Sequence, residues 1–189
     1  MIQSLTESSR PDPASLRTVL GNFATGVTVV TAITPDGPVG MTANSFTSVS
    51  LEPPLVLFCA ARSSRTYPHI QRASAFAVNI LARGQEHVSS VFARKDVNRF
   101  ARVETHTDAT GAPILTEAMA YLDCLISDRI ERGDHVIVLG EVESAGMQQD
   151  DREPLVFFRG GYHQPARSAR GASPAGAPGG ERVPTPRKE

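Results

Sequence analysis

The first regular pattern of hydrophobic and polar positions in the chain has the period of a helix. Apolar residues recur at i, i+3, i+4 and i+7, at Leu16, Val19, Leu20 and Phe23. Asp12 is suited to cap this helix, and Pro13 fits its first turn. The pattern then becomes β-branched over residues 27–33, and a Pro-Asp-Gly turn at 35–37 separates these from residues 39–43. The chain is therefore predicted to begin with a helix and a β-hairpin.

Shorter elements follow along the rest of the chain. Strands are predicted at residues 55–60, 75–81, 121–130, 136–144 and 155–158, and helices at residues 67–72 and 85–93. Residues 55–60 are continuously apolar, which predicts a strand buried on both faces. Residues 94–111 have no clear period, which predicts a long loop. Six or seven short strands without regular βαβ alternation predict a mainly β fold, an antiparallel β-barrel with peripheral helices.

The length and the ends of the chain favour one folded domain. A chain of 189 residues can bury a sizeable core, and we predict that the domain covers residues 13–163 after a flexible N-terminus at 1–12. Residues 164–189 contain five prolines, four glycines and a single large aliphatic residue, Val183. Such a segment buries too little apolar surface to offset its ordering entropy, so we predict a disordered tail.

Charge and cysteine content narrow the classes of partner. The formal net charge of −1 argues against nucleic acid or an anionic membrane as the main partner. No apolar run reaches the roughly 20 residues of a membrane span, and no signal peptide is recognisable, so we predict a cytoplasmic protein. Cys59 and Cys124 lack the spacing of metal ligands or of a redox pair. We expect both to be buried free thiols and expect no metal site.

Two short stretches have a distinct chemical character. Residues 42–50 carry hydroxyl and amide side chains, no charge and one small residue, Ala43, which suits a flat, neutral, hydrogen-bonding ligand. The simpler interpretation is an edge strand and a Ser/Thr-rich turn. Residues 63–66 precede a predicted helix and suit a phosphate group, although taken alone they favour a plain helix cap beside a solvated arginine. No GxGxxG, GxxxxGK[ST], HExxH or GxSxG motif accompanies them.

Read together with residues 25–31, residues 40–50, which include the stretch at 42–50, resemble the signature of the flavin reductase-like family. These are the small reductases that serve two-component flavin monooxygenases. Residues 76–81, 133–135 and 159–163 also match, in the family's order, so that the resemblance runs from about Leu16 to His163. It implies a split-barrel flavin-binding fold that works as a homodimer, with flavin near the subunit interface.

The resemblance also implies which residues form the site. Those implied for the flavin ring are Thr42, Ala43, Asn44, Ser45, Ser48 and Val49, and those for its phosphate are Ser63, Ser64, Arg65, Thr66, Arg94 and Lys95. Ala43 is expected to keep the surface thin beneath the ring. His135, the one catalytic candidate, is implied to lie beside the nicotinamide, and Tyr162 and His163 to stack on the nicotinamide or adenine. The simpler interpretations are a Gly-Asp turn with a surface histidine and a strand end with exposed aromatic rings.

The function implied by the resemblance is that of an NAD(P)H:flavin oxidoreductase. It transfers hydride from NADH or NADPH to FMN or FAD and supplies reduced flavin to a separate monooxygenase. The sequence leaves open which flavin and which nicotinamide are used. Two alternatives remain: a flavin carrier without catalysis, and a split-barrel protein that uses haem or a deazaflavin.

Overall fold

The computed structural model describes residues 10–94, 98–148 and 152–163. Most of the predicted flexible N-terminus, the predicted tail at 164–189 and the candidate Lys95 lie outside these residues. The helices are α1 (Pro13–Leu20), α2 (Tyr67–Arg72) and α3 (Glu86–Ala93), with a short 3-10 helix at Arg99–Arg102. The three α-helices confirm the predicted ones.

Helix α1 begins as its sequence predicts but does not pack into the core. The Asp12 carboxylate accepts hydrogen bonds from the backbone N–H groups of Ala14 at 2.9 Å and Ser15 at 3.1 Å. None of the helix residues is buried. Its apolar face is exposed by 44 to 77 % at Leu16, Val19, Leu20 and Phe23. The described residues therefore leave this hydrophobic face uncovered.

The strands confirm a mainly β fold. They are β1 (Thr25–Gly26), β2 (Thr28–Thr34), β3 (Gly37–Ala43), β4 (Thr47–Leu51), β5 (Pro54–Ala61), β6 (Ala75–Ile80), β7 (Thr105–His106), β8 (Ile114–Leu115), β9 (Ala120–Arg132), β10 (His135–Met147), β11 (Val156–Phe158) and β12 (Gly161–His163). Seven of them form one antiparallel sheet in the order β3-β2-β6-β9-β10-β5-β4. The predicted hairpin is β2 and β3, with Val30 opposite Met41.

The order of the strands requires the sheet to curl. Strands β3 and β4 are its two edges, yet only residues 44–46 separate them along the chain. Seven flat strands would place the edges about 29 Å apart. Four consecutive Cα–Cα steps span at most about 15 Å. The 44–46 connection therefore draws opposite edges of the sheet together at one end.

Three predictions about the strands and loops need correction. Strand β5 is not buried on both faces, because Val56, Phe58 and Ala60 are buried while Leu57 and Cys59 between them stay half-exposed. The core covers only one face of this part of the sheet. The strands are also not all short, since β9 and β10 contain 13 residues each. The region predicted as a loop at 94–111 contains the 3-10 helix and β7.

Aromatic packing and one buried polar group define the interior of the sheet. The Phe58 and Phe76 rings meet edge to face with centroids 5.0 Å apart. Asn79 is fully buried and satisfied: it donates to the Val29 carbonyl at 3.0 Å and accepts from the Leu115 N–H at 2.7 Å. These bonds tie β6 to the segments on either side of it and fix the register of the sheet.

Candidate functional site

The 44–46 connection forms the first part of the candidate site. It follows Ala43, whose carbonyl accepts a hydrogen bond from the Thr28 hydroxyl at 2.7 Å. Asn44 is exposed and Ser45 is half-buried. Within the described ranges, no strand pairs with the outer side of β3 or of β4. Backbone donors and acceptors along these edges therefore have no partner strand among the described residues, although the Gly40 carbonyl accepts a hydrogen bond from Arg99.

Two hydroxyl groups near this connection bond to the protein itself. The Ser45 Oγ donates to the Cys59 carbonyl at 3.1 Å and accepts from the Cys59 N–H at 3.0 Å, which fixes the connection to β5. The Thr42 hydroxyl donates to the Ser89 carbonyl of α3 at 2.6 Å. Flavin contacts by Thr42 and Ser45 therefore remain predictions that concern their main-chain atoms.

The Ala43 side chain points away from the surface. It is only 6 % exposed and belongs to the hydrophobic core, so contact of Ala43 with a flavin ring stays a prediction that concerns its main-chain atoms. The reason is the alternation of side chains along β3, which points Ala43 inward. Ser48 and Val49 on β4 are exposed, and their ligand contacts stay a prediction.

Residues 63–66 form the turn between β5 and α2. Ser63 and Arg65 are exposed, and the Ser64 Oγ accepts a hydrogen bond from the Thr66 N–H at 3.2 Å. Thr66 is buried and is the N-cap residue of α2, but its side chain makes no capping bond. With six residues, α2 has fewer than two turns of aligned peptide dipoles. The positive potential near this turn therefore comes mainly from arginine side chains.

Arg99 is a site residue that the hydrophobic pattern does not reveal. Its Nη1 donates to the Gly40 carbonyl at 2.6 Å and to the Thr66 hydroxyl at 2.8 Å. Its Nη2 donates to the Arg94 carbonyl at 2.6 Å. Arg99 thereby joins β3, the 63–66 turn and the end of α3. Its only signal in the sequence is an Arg-Phe pair inside an aperiodic segment.

A cavity of about 260 Å³ opens beside this arginine. The residues that line it include Gly40, Arg65, Thr66, His69, Arg99 and Phe100. Among the residues lining it that the structure describes, there is no carboxylate. Burial lowers the pKa of the Arg99 guanidinium, because the surrounding protein replaces part of its hydration. The cavity is thus basic and is lined in part by the candidate phosphate segment at residues 63–66.

His135 lies at the end of β5 that leads into the 63–66 turn. It begins β10, where it pairs with Ala61, the residue two before Ser63. Its Nδ1 lies 2.8 Å from the Asp134 carboxylate, and this hydrogen bond holds the pKa of Asp134 below its ordinary value. A carboxylate at Nδ1 orients the imidazole and leaves Nε2 to face a ligand. The register thus places the predicted catalytic residue next to the predicted phosphate turn.

Tyr162 and His163 sit on the short strand β12. The Tyr162 hydroxyl lies 2.8 Å from the Ser89 Oγ, and the Ser89 carbonyl accepts from Thr42. The chain Tyr162–Ser89–Thr42 connects β12 to β3 through α3. The His163 ring packs edge to face on Phe158 with centroids 5.6 Å apart. Stacking of either ring on a nicotinamide or adenine stays a prediction.

Comparison with known proteins identifies the family. The model of the flavin reductase like domain matches residues 20–166, and the reductase subunit HsaB of a flavin-dependent monooxygenase from Mycobacterium tuberculosis is 41 % identical over 156 residues, 82 % of this chain and 83 % of HsaB. The chain belongs to the flavin reductase like domain family. The resemblance seen in its sequence is thereby confirmed.

Two further relatives extend the comparison for this flavin reductase like domain. The NADH:FAD oxidoreductase SgcE6 of Streptomyces globisporus, solved with NAD and FAD fragments, superposes with a TM-score of 0.79 at 43 % identity and covers 84 % of this chain and 95 % of SgcE6. A Rhizobium meliloti protein with a flavin reductase name is 46 % identical over 165 residues, 87 % of this chain. This chain spans only 52 % of the length of that relative.

The two cysteines of the flavin reductase like domain differ in burial. Cys124 is buried as predicted, and burial raises the pKa of its thiol to about 12. Cys59 is only half-buried, which corrects the prediction for it, because it lies on the uncovered side of β5. The described ranges contain no group of three or more His, Cys, Asp or Glu side chains placed to hold a metal ion. None of their helices is both long and apolar enough to cross a membrane.

Proposed function

We propose that this protein is an NAD(P)H:flavin oxidoreductase, which transfers hydride from NADH or NADPH to FMN or FAD. The observation that carries the proposal is the junction of the two sheet edges at residues 44–46. In a chain of this family, the junction offers neutral donors, and β3, which leads into it, also lines a basic cavity. SgcE6, a NADH:FAD oxidoreductase by name, supports the same pair of reactants.

The residues present fit a flavin. The edge of an isoalloxazine ring carries carbonyl and nitrogen acceptors, which the uncharged backbone around Asn44 and Ser45 can satisfy without a charge penalty. The half-exposed apolar side of β5 at Leu57 and Cys59 suits a flat hydrophobic ring. When bound, the flavin supplies an N5 atom that accepts hydride from C4 of the nicotinamide.

The main role of the protein in this reaction is to position two flat rings and to exclude water. Hydride transfer needs no side chain as acid or base. The Asp134 carboxylate holds the His135 imidazole at one end of β5, where Nε2 can hydrogen-bond a nicotinamide carboxamide. His135 thus orients the hydride donor toward the ring that the 44–46 connection holds.

The same family membership supports a proposal about the assembly. We propose that the curled sheet is a split barrel, that the protein is a homodimer, and that its reduced flavin passes to a separate monooxygenase. The uncovered apolar face of α1 supports the dimer, since monomeric proteins rarely leave such a face exposed. The name of HsaB, a reductase subunit of a flavin-dependent monooxygenase, supports the partner.

The test is the reduction of flavin under anaerobic conditions, measured as the loss of its visible absorbance. Each of FMN and FAD is paired with each of NADH and NADPH, with and without protein. We expect protein-dependent bleaching in at least one pairing. Flavin binding without bleaching in any pairing would instead establish a carrier, and a Soret or deazaflavin band in the purified protein would establish another cofactor.

A further inference from the structure

Arg99 binds three separate segments through neutral oxygen atoms. A guanidinium group has five N–H donors. Four hydrogen bonds are made: one from Nε and one from Nη2 to the Arg94 carbonyl, and two from Nη1 to the Gly40 carbonyl and the Thr66 hydroxyl. One N–H on Nη2 therefore remains unused by the described residues. Two of the three acceptor residues, Gly40 and Thr66, line the basic cavity.

The charge of Arg99 has no counter-ion among the residues that the structure describes. Within those residues, no carboxylate lies within ion-pair distance of its guanidinium. The residue is nevertheless half-buried and lines the cavity. A partly buried cation with neutral partners and a spare donor favours an anionic ligand.

We propose that Arg99 organises the phosphate subsite of this site and presents its spare N–H and positive charge to the terminal phosphate of the flavin. This inference rests on the proposed function. Arg99 fixes the Thr66 hydroxyl and the carbonyls of Gly40 and Arg94 in one arrangement. Gly40 and Thr66 line the basic cavity together with Arg99 itself. The residue thus discriminates flavins with a phosphate from riboflavin, which has none.

The experiment compares the affinity for FMN with that for riboflavin, measured by quenching of flavin fluorescence. Arg99→Met removes the charge and all four hydrogen bonds while keeping much of the side-chain volume. We expect its dissociation constant for FMN to rise by about tenfold to hundredfold, as the loss of a charge-assisted contact predicts. Riboflavin binding should weaken by less than about threefold. The wild-type preference for FMN should also decline with added salt, whereas that of the variant should not.

Two further variants serve as controls. Arg102→Met removes an arginine from the same 3-10 helix that is exposed and does not line the cavity, and it should bind FMN as the wild type does. Arg99→Lys keeps a positive charge without the planar fork, and its FMN affinity should fall between those of the wild type and Arg99→Met. If Arg99→Met does not fold, as judged by circular dichroism, the ratio of FMN to riboflavin affinity in Arg99→Lys decides the question.

The outcomes separate this inference from the proposed function. Equal losses of FMN and riboflavin affinity in Arg99→Met would show that the arginine only supports the fold, and unchanged FMN affinity would show that it has no role. Either result overturns the inference while a wild-type protein that reduces flavin upholds the proposed function. A wild-type protein that binds neither flavin contradicts both.

Discussion

Replacement of Ser45 by alanine should loosen the junction between the two sheet edges. The change removes the two hydrogen bonds between its hydroxyl and the Cys59 backbone, at 3.1 and 3.0 Å, and leaves the rest of the connection in place. Hydrogen bonds of this kind contribute about 0.5–1.5 kcal/mol each, so the free energy of unfolding should fall by about 1–3 kcal/mol. Urea denaturation followed by circular dichroism measures this difference.

The same variant also tests whether the junction contributes to ligand binding. Its backbone donors are held in place by the bonds to Cys59, so a looser connection should raise the dissociation constant for flavin at least severalfold. Thr47→Ala is the matched control, because Thr47 is exposed and its hydroxyl makes one long bond, 3.4 Å to the Ser48 carbonyl. If Ser45→Ala equals Thr47→Ala in both stability and flavin affinity, the reasoning about the junction is refuted.

Three further predictions concern the core, the turn before β10 and the surface of α1. Ala43→Leu overfills the core and should lower the free energy of unfolding by about 1–3 kcal/mol in urea denaturation; an unchanged midpoint would contradict the inward orientation of Ala43. His135→Ala removes the hydrogen bond that lowers the pKa of Asp134, so that NMR titration should show this pKa rising toward its ordinary value. The lowered pKa of Asp134 stabilises the folded state only where this carboxylate is ionised. The wild type should therefore lose this part of its free energy of unfolding as the pH falls through the Asp134 pKa, and the variant should not. Val19→Glu places a charge on the uncovered face of α1 and should convert the proposed dimer to a folded monomer in light scattering, whereas a dimer that persists would show that another surface forms it.

Local signals in the sequence predicted the elements whose causes are local. The Asp12 cap, the turn at residues 35–37 and the hairpin around that turn depend on neighbouring residues, and the structure contains each of them. Burial was harder to predict, because it depends on what covers a strand. Residues 55–60 are apolar throughout, but only one face of β5 meets the core. A continuous apolar run does not reveal whether both faces are covered by the same chain.

The candidate site was only partly predictable for a related reason. The segments at 42–50 and 63–66 stand out by their composition. Arg99 does not, because it bonds to Gly40 and Thr66, which lie 59 and 33 positions before it in the sequence. Such contacts are set by the topology of the sheet, and no spacing rule describes them. Ala43 shows the opposite case. Its small size suggested a ligand surface, but the alternation of β3 directs it into the core.

The brevity of the 44–46 connection has a consequence for how this chain can vary. Most surface loops accept extra residues at little energetic cost, because their ends keep their separation. Here the ends are opposite margins of one sheet, so each added residue would let the margins move apart by up to about 3.5 Å. The length of this connection thus determines how strongly the whole sheet is curved. We expect insertions after Asn44 to flatten the sheet, while insertions of equal size in the turn at residues 35–37 leave its shape unchanged.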